Sequence, residues 1–541
     1  MHSPFQTLAP SAVARVGLTG TPRLGSRLQS ALSGLLPQSP WHQVALITLL
    51  AAALRVHGID TDGYWKNELF SLTWIRNSTR FLAVEGLLTE TNPPFYYLLL
   101  KAWTGIFGTA EAGARSLTVL ISIATVPLTF ALGRALGGNR VGIIAAFLLA
   151  ITPVQIYFSQ EARVYAFLPF FVTLTLLGVC RFLAPLQVPV PRDGELPRTP
   201  GLVLYTAGAI GLLQSHATSV FTMTALAGTV FVVLLDMRAP RAIVSRFFVA
   251  SLIAALTASP IVGAMLMQVD SPNVSWMPRF GPETLMIVDH FMLLGPLIRS
   301  DFGENGSRLL ALGQLGMAIV AAIMLFITAR RAIHNRHALA LVLLFPLFFI
   351  VLTGAISLFK PILIPRIALW TSVPICLAAG FVLASRIHRP LRVITGGLLL
   401  ACLGIGLINN CLAPTQHKPD WRHFVADNRP DDTTGPLLVA GPHIGPLGLA
   451  VYATTDLVRD VRHWAPYVDR PLMLSDRVER AATGALPVTT AELTAIIRGG
   501  GHVRLFLDEG DQSLIVEQLM AMPEFSAAIR SGYPGLTVFT W

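Results

Sequence analysis

The feature that most limits what this chain can become is a succession of apolar runs separated by short charged loops. A helix crossing a bilayer core needs about 17 to 25 mostly apolar residues. Such runs lie near 42–59, 115–134, 139–158, 164–184, 201–217, 218–235, 246–268, 307–328, 338–358, 366–385 and 391–411. The expectation is an α-helical polytopic membrane protein with about eleven transmembrane helices. Composition agrees, because 53% of the 541 residues are hydrophobic and only 13% are charged, which excludes a soluble domain of this size. The net charge of +10 calls for no nucleic acid, since arginine and lysine collect in the cytoplasmic loops of membrane proteins.

Those basic loops orient the chain. Arg134 and Arg140; Arg181, Arg192 and Arg198; Arg238, Arg241 and Arg246; Arg330, Arg331 and Arg336; and Arg386, Arg389 and Arg392 alternate with loops poorer in positive charge. The alternation places the N-terminus in the cytoplasm only if the ambiguous run 93–108 does not cross. Its two prolines, mid-run Lys101 and short length favour an interfacial or re-entrant helix. The expected organisation is a disordered cytoplasmic tail over 1–41, a transmembrane domain over 42–411 with an outer loop at 60–114, and a soluble α/β domain over 412–541 on the periplasmic side. In that last part "PLLVAGP" and "HVRLFLDEG" read as strands, and "TAELTAIIRGGG" between them as a helix ended by glycine. Cys180, Cys376, Cys402 and Cys411 lie in or beside apolar runs and suggest neither a disulfide framework nor metal-ligand spacing.

Several charges break the positive-inside pattern. Arg163, Lys360 and Arg366 fall at expected outer span ends, and Glu161 lies two residues from Arg163. Charges at membrane depth default to function, with interfacial snorkelling as the rival explanation. Guanidinium groups beside apolar helices suit a lipid phosphate, which they bind bidentately. A carboxylate in the same cavity, Glu68 or Glu161, suits a divalent metal or a base that takes a hydroxyl proton. Asp60 and Asp62 are near enough in sequence to share that work. His216, at the end of a span, reaches the same expected face. No P-loop, dinucleotide fingerprint or zinc spacing is present, so no nucleotide cofactor is expected.

The acidic stretch "GYWKNELFS", then "TNPPFYYLLLKAWTGIFG", "EAGARSL", "SQEARVYAF", "SWMP", "KPILIPRIAL" and "KPDWRHFVAD" resemble, in order and spacing, the family 39 glycosyltransferases of the GT-C fold. These are relatives of protein O-mannosyltransferases and of the aminoarabinose transferase acting on lipid A. The resemblance runs from about residue 42 to 425 and implies sugar transfer from a polyprenyl-phosphate donor to a periplasmic acceptor (a glycolipid, polysaccharide or protein) at a bacterial inner membrane. In the family an Asp-Glu pair follows the first span, with the aspartate proposed as base; here the pair is Asn67 and Glu68. An amide can hydrogen-bond an acceptor hydroxyl but cannot take its proton. Three readings stay open: Glu68 is the base, Asp62 reaches in, or the protein binds a lipid-linked sugar without transferring it.

By the same resemblance, Asn92, Pro93 and Pro94 line the acceptor or sugar pocket. Glu161 and Arg163 match the "QEAR-Y" turn, the carboxylate being a candidate metal ligand and the arginine a donor-phosphate contact, with Tyr165 near the headgroup. Arg366 is a second phosphate contact, helped by Lys360. The rival function class is a binder or transporter of lipid-linked sugars. A transporter would place ionisable residues at the bilayer midplane, whereas these cluster at span ends.

Overall fold

The structure, a computed structural model, describes residues 39–184, 199–268, 303–408, 418–427, 437–440, 448, 451–452, 462–464, 487–508, 523, 528–533 and 536–541. Residues 1–38 of the expected tail, the stretch 269–302 with "SWMP", the 412 boundary and Cys411 lie outside the described residues. The chain divides into two compact units, Met1–Gln43 and Val44–Trp541, and the candidate site lies wholly in the second.

Eight described helices are long and apolar enough to cross a membrane: Glu111–Gly137, Val164–Leu183, Ser219–Asp236, Arg241–Met267, Leu312–Ala332, Arg336–Ser357, Arg366–Ala384 and Arg389–Leu407. A ninth forms if Asn139–Ala150 and Pro153–Ser159, bent by 57° at a short break, count as one span. The remaining two expected runs form helices of 17 residues, Pro40–Val56 and Thr199–Ser215, at the lower edge of what a bilayer core requires. The run 93–108 forms a helix of 14 residues, Pro94–Phe107. At 1.5 Å per residue it reaches about 21 Å, too short to cross.

The bend has a sequence cause. Pro153 lacks the N–H that would reach the Leu149 carbonyl, so the helix breaks and leaves acceptors open in an apolar setting. Arg55, fully buried at the end of Pro40–Val56, supplies the donors. Its Nη1 reaches the Ala150 carbonyl at 2.8 Å, Nη2 the Leu149 carbonyl at 3.2 Å, and Nε the Ser122 hydroxyl at 2.8 Å. Farther along, Phe167–Leu183 packs on Thr199–Ser215 with Gly178 directly against the Tyr205 backbone, an approach that a Cβ would block.

The described C-terminal residues form a six-stranded sheet in the order β3-β2-β1-β4-β6-β5, where β1 is Leu437–Ala440, β2 Arg462–Trp464, β3 Pro487–Val488, β4 Val503–Asp508, β5 Ile529–Tyr533 and β6 Leu536–Thr540. Strands β1 to β4 pair in parallel, whereas β6 runs antiparallel to β4 and β5. The helix Thr490–Arg498 opens on a capping box between Thr489 and Glu492 and closes before Gly500, which takes a positive φ of 77°. Alternation along β4 divides its side chains between two clusters. Leu505 and Leu507 pack with Leu493 of that helix, while Phe506 points the other way onto Phe424 at 4.7 Å between ring centroids. Phe424 belongs to the same cluster as Leu69, Leu72 and Trp74 of the helix Lys66–Trp74, so one apolar core joins the sheet to the first loop.

Candidate functional site

Glu68 is the third residue of the helix Lys66–Trp74, and from there its side chain turns back to the amide of Trp65, which precedes the helix, at 3.3 Å. The turn brings the carboxylate inside the protein, where it is completely buried. Oε1 accepts from Arg115 Nε at 2.8 Å and from the Ala162 amide at 2.8 Å; Oε2 accepts from Arg115 Nη2 at 3.0 Å and Lys418 Nζ at 3.1 Å. Burial alone would raise the pKa of this carboxyl, but the charges of Arg115 and Lys418 outweigh it and bring the pKa down to about 2.

Arg115 spends every N–H. Besides Glu68, its Nη1 donates to the carbonyls of Ile59 and Asp62, both at 2.8 Å, and its Nη2 to that of Gly63 at 2.9 Å. The loop 59–63 is thus wrapped around one guanidinium, which also lies 5.1 Å from the Tyr64 ring centroid. Tyr452 extends the assembly by accepting from the Tyr64 amide at 2.8 Å and donating to Glu111 at 2.6 Å. A small cleft lies beside it, walled by Gly58, Asp62, Arg115, Ile156, Tyr157, Gln160 and Lys418.

A second group of charges surrounds Tyr165. The guanidinium carbons of Arg163 and Arg366 lie 5.9 and 5.7 Å from its ring centroid, and the His216 ring lies 6.2 Å away. Arg163 Nη1 donates to Ser71 Oγ at 3.0 Å and to the Tyr97 hydroxyl at 3.2 Å, and that hydroxyl in turn donates to Glu90 at 3.1 Å. Arg163 Nε is buried with no acceptor among the described residues. His216 Nδ1 accepts from the Thr218 amide at 3.2 Å, which leaves the proton of the neutral ring on Nε2. Burial, with Arg366 and Arg163, lowers the His216 pKa to about 3.

Glu161 lies under the influence of both groups. Burial raises its pKa, opposed first by Lys418 and then by Arg366 and Arg163, while Glu68 adds to the rise. This surrounding of cations does not fit a divalent metal, and among the described residues no three His, Cys, Asp or Glu side chains form a metal cluster. The sugar-pocket candidates take supporting places: Asn92 Nδ2 donates to Glu90 at 2.7 Å, and Pro93 and Pro94 open the helix Pro94–Phe107. Asn67 is half-buried, and its carbonyl accepts from Ser71 Oγ at 3.0 Å. Asp62 is half-buried on the cleft wall. Lys360 is half-buried on the turn after Phe345–Ser357, its amide bonded to the Ile356 carbonyl at 2.9 Å.

Sequence reading passed over Arg115, Lys418, Glu111 and Tyr452. Glu111 and Arg115 stand inside "EAGARSL" and Lys418 inside "KPDWR", and an arginine at the head of an apolar run was the available signal.

No protein-family model and no curated protein sequence matches the chain. Solved structures do. ArnT from Cupriavidus metallidurans bound to undecaprenyl phosphate superposes with a TM-score of 0.53 at 12% identity, covering 93% of this chain and 98% of ArnT. The apo state of that protein gives 0.52 at 12% identity, covering 94% and 98%. The archaeal oligosaccharyltransferase AglB from Archaeoglobus fulgidus, in complex with an inhibitory peptide and a dolichol-phosphate, gives 0.48 at 13% identity, covering 76% and 63%. The chain has the GT-C fold. Within the GT-C fold as this chain builds it, the first loop, the turn Gln160–Arg163 and the residues after the last bundle helix meet around Glu68.

Proposed function

We propose that this protein is a membrane glycosyltransferase of the bacterial inner membrane that takes a sugar from a polyprenyl-phosphate donor and passes it to a periplasmic acceptor. The observation that carries the reading is the pair Arg163 and Arg366 on one tyrosine ring, with Arg163 Nε buried and lacking an acceptor among the described residues. A buried donor without a partner is costly, and a phosphate oxygen relieves that cost with a charge-assisted bond. The GT-C fold, and its similarity to ArnT bound to undecaprenyl phosphate, support a lipid as the carrier of that phosphate.

In this reading the acceptor oxygen forms a bond to the anomeric carbon as the carbon–oxygen bond to phosphate breaks, with inversion. The electron pair leaves with the polyprenyl phosphate, whose growing charge the two guanidiniums stabilise. Glu68 is an organiser and not the base, because five donors already occupy its oxygens. Asp62, on the cleft wall, takes the acceptor proton, and the half-buried Asn67 amide orients the acceptor.

One observation favours a second reading, a binder of lipid-linked sugar without transfer: position 67 is an amide and the acid beside it is fully engaged. Incubating the purified protein in lipid with a pool of radiolabelled polyprenyl-phosphate sugars separates the two. Sugar release that is lost in Asp62→Asn and Arg163→Met supports transfer. Silence with every donor, with polyprenyl phosphate still bound, supports the binder, and turnover gained in Asn67→Asp would identify the missing acid.

A further inference from the structure

The residues after the last bundle helix hold the first loop through consecutive contacts. Lys418, 5% exposed, donates to Glu68 Oε2 at 3.1 Å and to the Gln160 carbonyl at 3.2 Å, and its ammonium lies 5.9 Å from the Tyr157 ring centroid. The Pro419 carbonyl sits where a Cβ at residue 63 would be, so only glycine allows the approach. Trp421 is completely buried, and Arg422 Nη2 donates to the carbonyls of Asp60 at 2.6 Å and Thr61 at 2.9 Å.

A plain tether would not need a buried ammonium. Removing such a charge from water is expensive, and Glu68 already has a bidentate partner in Arg115. What Lys418 adds is a second link between two segments: Glu68 belongs to the helix Lys66–Trp74 within the first loop, and Gln160 opens the turn that continues through Glu161 and Ala162 to Arg163. That same turn is held from its other side by the Ala162 amide on Glu68 and by Thr118 Oγ1 on the carbonyls of Ser159 and Glu161, at 2.8 and 2.9 Å. The charged and titratable groups facing Glu161 are Lys418, Glu68, Arg366, Arg163 and Tyr157. Lys418 thus joins the buried Glu68 carboxylate to the backbone of the turn that carries Glu161.

We propose that Lys418 is a positioning residue whose ammonium fastens the Gln160–Arg163 turn to the first loop, so that the segment beyond the bundle completes the anion site built on Arg163. The proposal rests on the polyprenyl-phosphate reading for the identity of the anion, but the fastening itself does not.

The test compares wild type, Lys418→Met and Lys418→Arg, all full-length in nanodiscs. Hydrogen exchange over residues 160–165 reads the fastening, and equilibrium binding of undecaprenyl phosphate against undecaprenol reads the anion site. The expected result is faster exchange at that turn in Lys418→Met, weakening of undecaprenyl phosphate by about tenfold, the worth of one charge-assisted bond, unchanged undecaprenol binding, and recovery in Lys418→Arg. A purely structural role lowers the melting temperature without moving the ratio of phosphate to alcohol affinity. Unchanged exchange at 160–165, or an unchanged ratio in a wild type that does prefer the phosphate, overturns the proposal. If exchange quickens but wild type holds both lipids equally, the fastening stands and the polyprenyl-phosphate function falls. Should Lys418→Met not fold, Lys418→Gln carries the same comparison.

Discussion

Arg115 meets Glu68 through both Nε and Nη2, at 2.8 and 3.0 Å, in a pair from which solvent is almost wholly excluded. Their separation of 47 residues means that the pair closes most of the first loop, from the helix Lys66–Trp74 to the start of Glu111–Gly137. Removing one partner from such a pair leaves a buried charge and costs about 3–5 kcal/mol. Arg115→Met is therefore expected to lower the melting temperature sharply, and Glu68→Gln as well, because the new NH2 group faces donors only and two buried cations lose their counter-charge. Thermal unfolding of both variants in the same detergent checks this; a melting temperature unchanged in either one would show that the pair does not hold the loop.

Glu68 also sets an acid limit on stability. Its folded pKa of about 2 lies below the unfolded carboxyl value, so the unfolded state binds more protons at intermediate pH. The contribution is complete above about pH 4.5 and is lost as pH falls towards 2, at about 1.4 kcal/mol for each pH unit between the two values. In Glu68→Gln that part of the stability profile should be flat. A profile that remains steep between pH 4.5 and 2 to the same degree as wild type would assign the acid limit elsewhere.

His216 acts in a different window. Its folded pKa of about 3 lies below the usual imidazole value near 6.5, so the unfolded chain again binds more protons between the two. Stability from keeping this ring neutral is full above about pH 6.5 and declines as pH falls from there towards 3. Unfolding measured from pH 7 to pH 5 should show this decline in wild type and less of it in His216→Gln.

Tyr165 offers one aromatic ring to two guanidiniums. Tyr165→Phe keeps the ring and should hold undecaprenyl phosphate nearly as wild type does. Tyr165→Leu removes the ring from both cations, each contact being worth about 0.5–2 kcal/mol, and should weaken the lipid by about tenfold. Affinities that follow loss of the hydroxyl and not of the ring would reverse this assignment.

The spans were legible because the bilayer demands long apolar runs whatever the tertiary contacts, and the turn at Arg163 was legible because its charges stand at the ends of such runs. Proline at 93 and 94 marked the short helix Pro94–Phe107 for the same local reason. The environment of Glu68 was not legible. Its donors come from residues 65, 115, 162 and 418, and no local pattern shows that a residue 350 positions away will fill a carboxylate's last lone pair. A candidate base on sequence is thus, in the fold, a carboxylate ringed by donors, most of which long-range packing brings to it.

The contacts of Arg55 reach forward to Leu149 and Ala150, 94 and 95 residues later in the chain. During synthesis Arg55 is made long before these two acceptors, while the Ala51 carbonyl of its own helix, at 3.2 Å, is present from the start. The helix Pro40–Val56 and the bent pair thus complete each other's polar groups, so that the break at Pro153 is satisfied from the first span.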